Sequence, residues 1–104
     1  IFGPVLSSFR FETVDEAIAI ANDTVYGLAA SLWTKDLDKA LTVTRRVRAG
    51  RFWVNTIMAG GPEMPLGGFR QSGWGREAGI YGVEEYTQIK SVHVEIGKRA
   101  HWIK

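Results

Sequence analysis

The sequence contains no cysteine. That absence removes disulfides, thiolate metal sites and a thiolate nucleophile from the chemistry this chain supplies, and says little about redox compartment. Histidine is nearly missing too: His93 and His101 stand alone, with no cluster of further ligands at metal spacing, so surface histidine is the default reading. No apolar run approaches the roughly 18 residues that cross a bilayer, and no signal-peptide pattern opens the chain. The expected setting is therefore the cytoplasm or an organelle matrix, with no membrane partner. An excess of one charge is also lacking, since 13 Lys+Arg stand against 11 Asp+Glu for a net +2. Arg45, Arg46, Arg48 and Arg51 do cluster. A nucleic-acid surface would interleave such residues with exposed aromatics or string them along a helix face. Here three of them fall where a helix ends and cations complement its dipole, so no nucleic-acid partner is expected.

What is present suits one small domain: 104 residues, 45% apolar and 23% charged, enough for a modest core. Val5–Phe11 alternates as a strand does. Thr13 and Glu16 form a capping box that opens a helix, followed by an apolar stripe of Val14, Ala17, Ile18 and Ala21. Asn22–Gly27 supplies the exit, and Leu28–Trp33 reads as a buried strand. A second helix starts near Thr34 or Asp36, carries Leu37, Ala40, Leu41, Thr44 and Val47 on one face, and stops at Gly50. Phe52–Asn55 reads as the next strand. Alternating strands and helices with short connections predict an α/β fold with a parallel sheet and crossover helices. Thr56–Gly75 then predicts a long irregular loop, of a length that is usually functional. A short helix is expected near Glu84–Tyr86, and Gln88–Ile96 alternates as a terminal strand. That strand is isolated from the others, so it either pairs locally at an edge or serves association. The division expected is residues 1–81 and 82–104.

The most specific stretch is Pro65–Glu77, P-L-G-G-F-R-Q-S-G-W-G-R-E, where Gly67, Gly68, Gly73 and Gly75 stand among aromatics and charges. A flexible linker would lack Phe69, Trp74 and the Arg76–Glu77 pair. Glycine at such density predicts tight turns or close backbone approach between rigid neighbours. The run is not a phosphate loop, since it lacks the G-K-[ST] ending and follows a loop instead of a strand. Together with I-F-G-P-V at Ile1–Val5, A-N-D-T-V-Y-G-L-A-A at Ala21–Ala30, R-A-G-R-F-W-V-N at Arg48–Asn55 and G-V-E-E-Y-T-Q-I-K at Gly82–Lys90, it resembles the C-terminal part of the aldehyde dehydrogenase superfamily.

The resemblance implies an NAD(P)-dependent enzyme that oxidises an aldehyde to a carboxylic acid. In such enzymes a cysteine thiolate attacks the carbonyl, the resulting thiohemiacetal gives up hydride to the nicotinamide, and water activated by a glutamate releases the acid. It further implies that Phe2 packs at the nicotinamide end of the cofactor, although a phenylalanine before Gly-Pro is, by itself, more often a core residue. Ile57, Met58, Ala59, Gly60 and Gly61 take the place of a substrate-tunnel wall, with Leu66 beside the same pocket where phenylalanine is common. Glu77 matches a charge-relay acid, against the plainer reading of an ion pair with Arg76. Arg70 and Gly73 match positions whose backbone carbonyls hold a monovalent cation in some members. The nucleophile, the base and the phosphate-binding part of the cofactor site have no counterpart in this sequence. The chain is thus expected to be a piece of the enzyme, inactive alone, with its terminal strand joining a homo-oligomer. The alternative is a non-catalytic oligomerisation or interaction module.

Overall fold

The computed structural model describes residues 3–97. Capping chemistry places both main helices. Thr13 is the N-cap of α1 (Val14–Asn22), and its hydroxyl accepts from the Glu16 N–H at 3.1 Å. The Glu16 carboxylate reaches back to the Glu12 N–H at 2.8 Å, one residue before the cap. Ile18 is the buried residue of the α1 stripe; Ala21 stays exposed. Asp36 opens α2 (Leu37–Arg46) in the same way, accepting from the Lys39 N–H at 2.9 Å. Of the expected α2 face, Ala40 and Val47 are buried while Leu37 and Leu41 remain exposed. Asn22 fastens the two helix ends together: its Nδ2 donates to the Arg46 carbonyl at 2.9 Å and its Oδ1 accepts from the Arg48 N–H at 2.8 Å. Arg46 also pairs with Asp15. Arg45 and Arg46 lie in the last turn of α2, whereas Arg48 lies beyond the C-cap.

α2 crosses between β1 (Ala29–Leu32) and β2 (Arg51–Val54), which pair in parallel with Ala29 opposite Arg51 and Leu32 opposite Val54. Parallel neighbours require such a crossover. The class is therefore α/β with a parallel sheet, as the element pattern predicts.

Two expected strands are not formed among the described residues. Val5–Phe11 and Gln88–Ile96 carry no ladder. Alternation makes a segment fit for a sheet, but a strand exists only against a neighbour, and among the described residues neither segment joins a ladder. Their apolar side chains are correspondingly bare: Leu6 is 91% exposed, Ile89 100% and Ile96 93%. The radius of gyration of 21.7 Å compares with about 13 Å for a compact chain of this length.

The segment after β2 is irregular, as its composition predicts, apart from a 3-10 turn at Arg70–Ser72 and an antiparallel bridge between Leu66 and Glu77. The last helix, α3 (Gly79–Glu84), begins earlier than the expected Glu84–Tyr86 and runs across position 81. Gly79 and Gly82 make this a weak helix by propensity. Gly79 is there for contact: its N–H donates to the Pro62 carbonyl at 2.8 Å, and a Cβ on it would lie 2.7 Å from the Glu63 oxygen.

Backbone meets backbone at the entrance to β2. The Gly27 carbonyl accepts from the Gly50 N–H at 3.0 Å and from the Phe69 N–H at 2.9 Å. A Cβ at Gly50 would stand 1.8 Å from the Gly67 oxygen, and one at Gly68 would stand 2.3 Å from the Ser72 Cβ. The glycine density thus reflects close approach at Gly50, Gly67 and Gly68. Gly73 differs, with φ +96 and open space around it. Gly50→Ala is expected to destabilise the chain by more than about 3 kcal/mol, beyond ordinary overpacking. Gly73→Ala should cost only the left-handed penalty of about 1–2 kcal/mol. Urea denaturation of the two variants checks this, and equal midpoint shifts would refute the distinction.

Candidate functional site

The Gly-rich segment and α3 line an open groove of about 1080 Å³, with Leu66, Gly67, Gly68, Gly73, Val83 and Tyr86 among its lining residues. Its shape is fixed from within by Arg76. One nitrogen of that guanidinium, Nη1, donates to the carbonyls of Gly68, Trp74 and Gly75 at 3.0, 3.1 and 2.9 Å. The guanidinium also lies 5.9 Å from the centre of the Phe69 ring. A single cation therefore gathers three carbonyls that the loop's tight path would otherwise crowd together. The Arg76 N–H meets Glu85 Oε1 at 3.3 Å, drawing the start of the turn toward α3.

Glu77 follows directly. Its backbone is held on both sides by Leu66, with N–H to O distances of 2.7 Å in each direction. Its side chain is exposed on the rim of the groove. Arg76 forms no ion pair with it; Nη1 of that guanidinium donates to backbone carbonyls instead. The ion-pair reading of Arg76–Glu77 is thereby corrected.

The groove brings together Leu66, Gly73 and Glu77 of the expected site residues. Arg70 does not line it. Its side chain turns away to the end of α1, donating to the carbonyls of Asn22, at 2.9 Å, and Thr24. Its own carbonyl accepts from the Gly73 N–H at 3.2 Å within the 3-10 turn. Among the described residues no group of three His, Cys, Asp or Glu could hold a metal ion. Phe2 lies outside the described residues.

Ile57–Gly61 lies outside the groove, in the chain leaving the carboxyl end of β2. Ligands of parallel sheets bind beyond such ends. Ile57 and Met58 are 60% and 80% exposed. Asn55 controls the exit. It takes φ +57, its Oδ1 accepts from the Thr34 N–H and its Nδ2 donates to the Thr34 carbonyl, both at 2.8 Å. Its own N–H donates to Leu32 at 2.7 Å. One asparagine thus ties the carboxyl ends of both strands and turns the chain out. Asn55 is a position that residue chemistry alone did not single out, and Arg76 stood out there only as a partner for Glu77. An asparagine closing a strand pattern, where left-handed backbone is tolerated, was the available signal for the first.

The sequence profile of the aldehyde dehydrogenase family matches residues 1–92. Aldehyde dehydrogenase, cytosolic 2 of Macroscelides proboscideus is 52% identical over 99 residues, which are 95% of this chain and 41% of that protein. Among solved structures, the NAD-dependent aldehyde dehydrogenase from Sinorhizobium meliloti superposes with a TM-score of 0.88 at 53% identity, over 99% of this chain and 20% of the other. P. syringae AldA, an indole-3-acetaldehyde dehydrogenase seen in complex with NAD+ and IAA, superposes with a TM-score of 0.86 at 49% identity, over 91% and 19%. The chain spans less than half the length of each of these relatives. With sequence and fold agreeing across almost all of its residues, the chain belongs to the aldehyde dehydrogenase family.

Proposed function

We propose that the chain is the C-terminal portion of an NAD(P)-dependent aldehyde dehydrogenase that converts an aldehyde to a carboxylic acid. The observation that carries this reading is joint agreement of fold and sequence with an enzyme named as NAD-dependent, at 53% identity and a TM-score of 0.88. A cytosolic site of action is part of the proposal. It is supported by relatives named as cytosolic, and no helix among the described residues is long and apolar enough to cross a membrane.

The cofactor part of the reading is supported by the relative named as NAD-dependent. Phe2 is proposed to pack at the nicotinamide end, and the remainder of the site belongs to the rest of the polypeptide. The same division holds for the chemistry: a cysteine supplied from elsewhere attacks the aldehyde carbonyl, and a glutamate from elsewhere activates the hydrolytic water. This chain contributes walls and one acid. Ile57, Met58, Ala59, Gly60, Gly61 and Leu66 line the path of the aldehyde. Glu77, held through its backbone to Leu66, relays a proton. The carbonyls of Arg70 and Gly73 are proposed to meet a monovalent cation. Residues 1–81 form the catalytic portion, and residues 82–104 form the portion that associates.

Homo-oligomerisation is the second element of the reading, and the exposed apolar run Ile89, Val92, Val94 and Ile96 favours it. An exposed segment of this alternating pattern gains by adding to a sheet edge in another subunit.

Two outcomes follow. The isolated chain should reduce neither NAD+ nor NADP+ with any aldehyde, as followed by absorbance of the reduced cofactor. Turnover by the pure chain would overturn the division of labour. In the complete enzyme, Val94→Pro removes a ladder donor and is expected to lower the oligomeric mass seen by light scattering. An unchanged mass would remove this segment from the subunit interface.

A further inference from the structure

The odd-numbered residues of β2 share one face of the strand, and that face is used in a way no motif announces. Trp53 is 8% exposed, and its indole Nε1–H donates to the Ala59 carbonyl at 2.7 Å. Arg51 Nη2 approaches the same carbonyl at 3.4 Å. The Arg51 guanidinium lies 5.1 Å from the centre of the Trp53 ring, so cation and ring brace one another. Asn55, directly after β2, fixes the chain at its other end through the two hydrogen bonds to Thr34. The loop is therefore pinned at 55 and at 59, with Ile57 and Met58 projecting between the pins.

Gly60 and Gly61, which follow Ala59, carry no side chain of their own. Gly60 has φ +118, and a Cβ on it would lie 2.4 Å from Met64 Sδ and 2.9 Å from Arg51 Nη2. The two apolar side chains at 57 and 58 are what the loop presents, and the pins decide how far they reach.

We propose that Trp53 and Arg51 are positioning residues for aldehyde selectivity. By holding the Ala59 carbonyl they set the reach of Ile57 and Met58, and so the width available to an apolar acyl group. The inference rests on the reading that residues 57–61 line the aldehyde path. Neither residue touches the reacting atoms.

The test uses the complete enzyme and two aldehydes, propanal and the bulkier phenylacetaldehyde. Selectivity is the ratio of their kcat/KM values. That ratio does not depend on how much enzyme is folded, so a purely structural loss in a variant cancels. Trp53→Phe keeps the ring and removes the N–H; Arg51→Met keeps the aliphatic stem and removes the guanidinium. Loss of one hydrogen bond to a fixed carbonyl corresponds to on the order of a five-fold change. Trp53→Phe is expected to shift the ratio toward phenylacetaldehyde by about that factor, and Arg51→Met in the same direction by less. A wild-type ratio in both variants of an active enzyme overturns the inference and leaves the proposed function standing. A complete wild-type enzyme that reduces neither NAD+ nor NADP+ with any aldehyde overturns both.

Discussion

The groove beside α3 depends on the contact of bare backbone at Gly27, Gly50, Gly67 and Gly68. The Gly27 carbonyl receives N–H groups from two distant segments, the entrance to β2 and the Gly-rich stretch. Its own N–H is met by Ser72 Oγ at 3.0 Å, from 45 residues away. The seam fixes the Gly-rich segment against the entrance to β2, and Arg70 fastens the same segment to the end of α1. With the segment so held, Leu66 and Glu77 can bridge, Arg76 can collect its three carbonyls, and α3 lines the groove.

Hydrophobic burial contributes less than usual. Only Ile18 on α1, Ala40 on α2, Val47 at its C-cap and Trp53 on β2 form the buried apolar core among the described residues. Directed polar contacts do much of the fastening around them: Asn22 across the ends of the helices, Asn55 across the ends of the strands, and Arg70 onto the α1 exit. Each saturates backbone groups that the ends of helices and strands leave open. These contacts hold a small frame whose outward faces remain apolar, in keeping with a chain that spans about a fifth of the solved relative it matches at 53% identity.

The frame itself was legible in the residues. Thr13 with Glu16, and Asp36 with its following apolar face, mark the helix starts through local hydrogen bonds that need no distant partner. The strands Leu28–Trp33 and Phe52–Asn55 were visible because both neighbours lie within the chain. Val5–Phe11 and Gln88–Ile96 show the same alternation, yet a strand is a property of a pair, and periodicity does not say whether the partner is present. The glycine seam was legible as density but not as geometry: sequence indicates that backbone must approach something, and only coordinates show that it approaches Gly50. The groove's Leu66 and Glu77 were found through the motif, whereas Arg76's grip on three carbonyls was hidden. Arginine beside glutamate reads as an ion pair until the guanidinium is seen turned inward.

The seam also limits how this chain can vary. When two side chains collide, shrinking one makes room for the other, so a change at one position can be rescued by a change at the second. At Gly50 the atom that an added methyl would strike is the carbonyl oxygen of residue 67, which every amino acid carries. No replacement at position 67 withdraws it. A mutation at Gly50 therefore has no second-site suppressor across the contact, and reversion is the only local route back to a close seam.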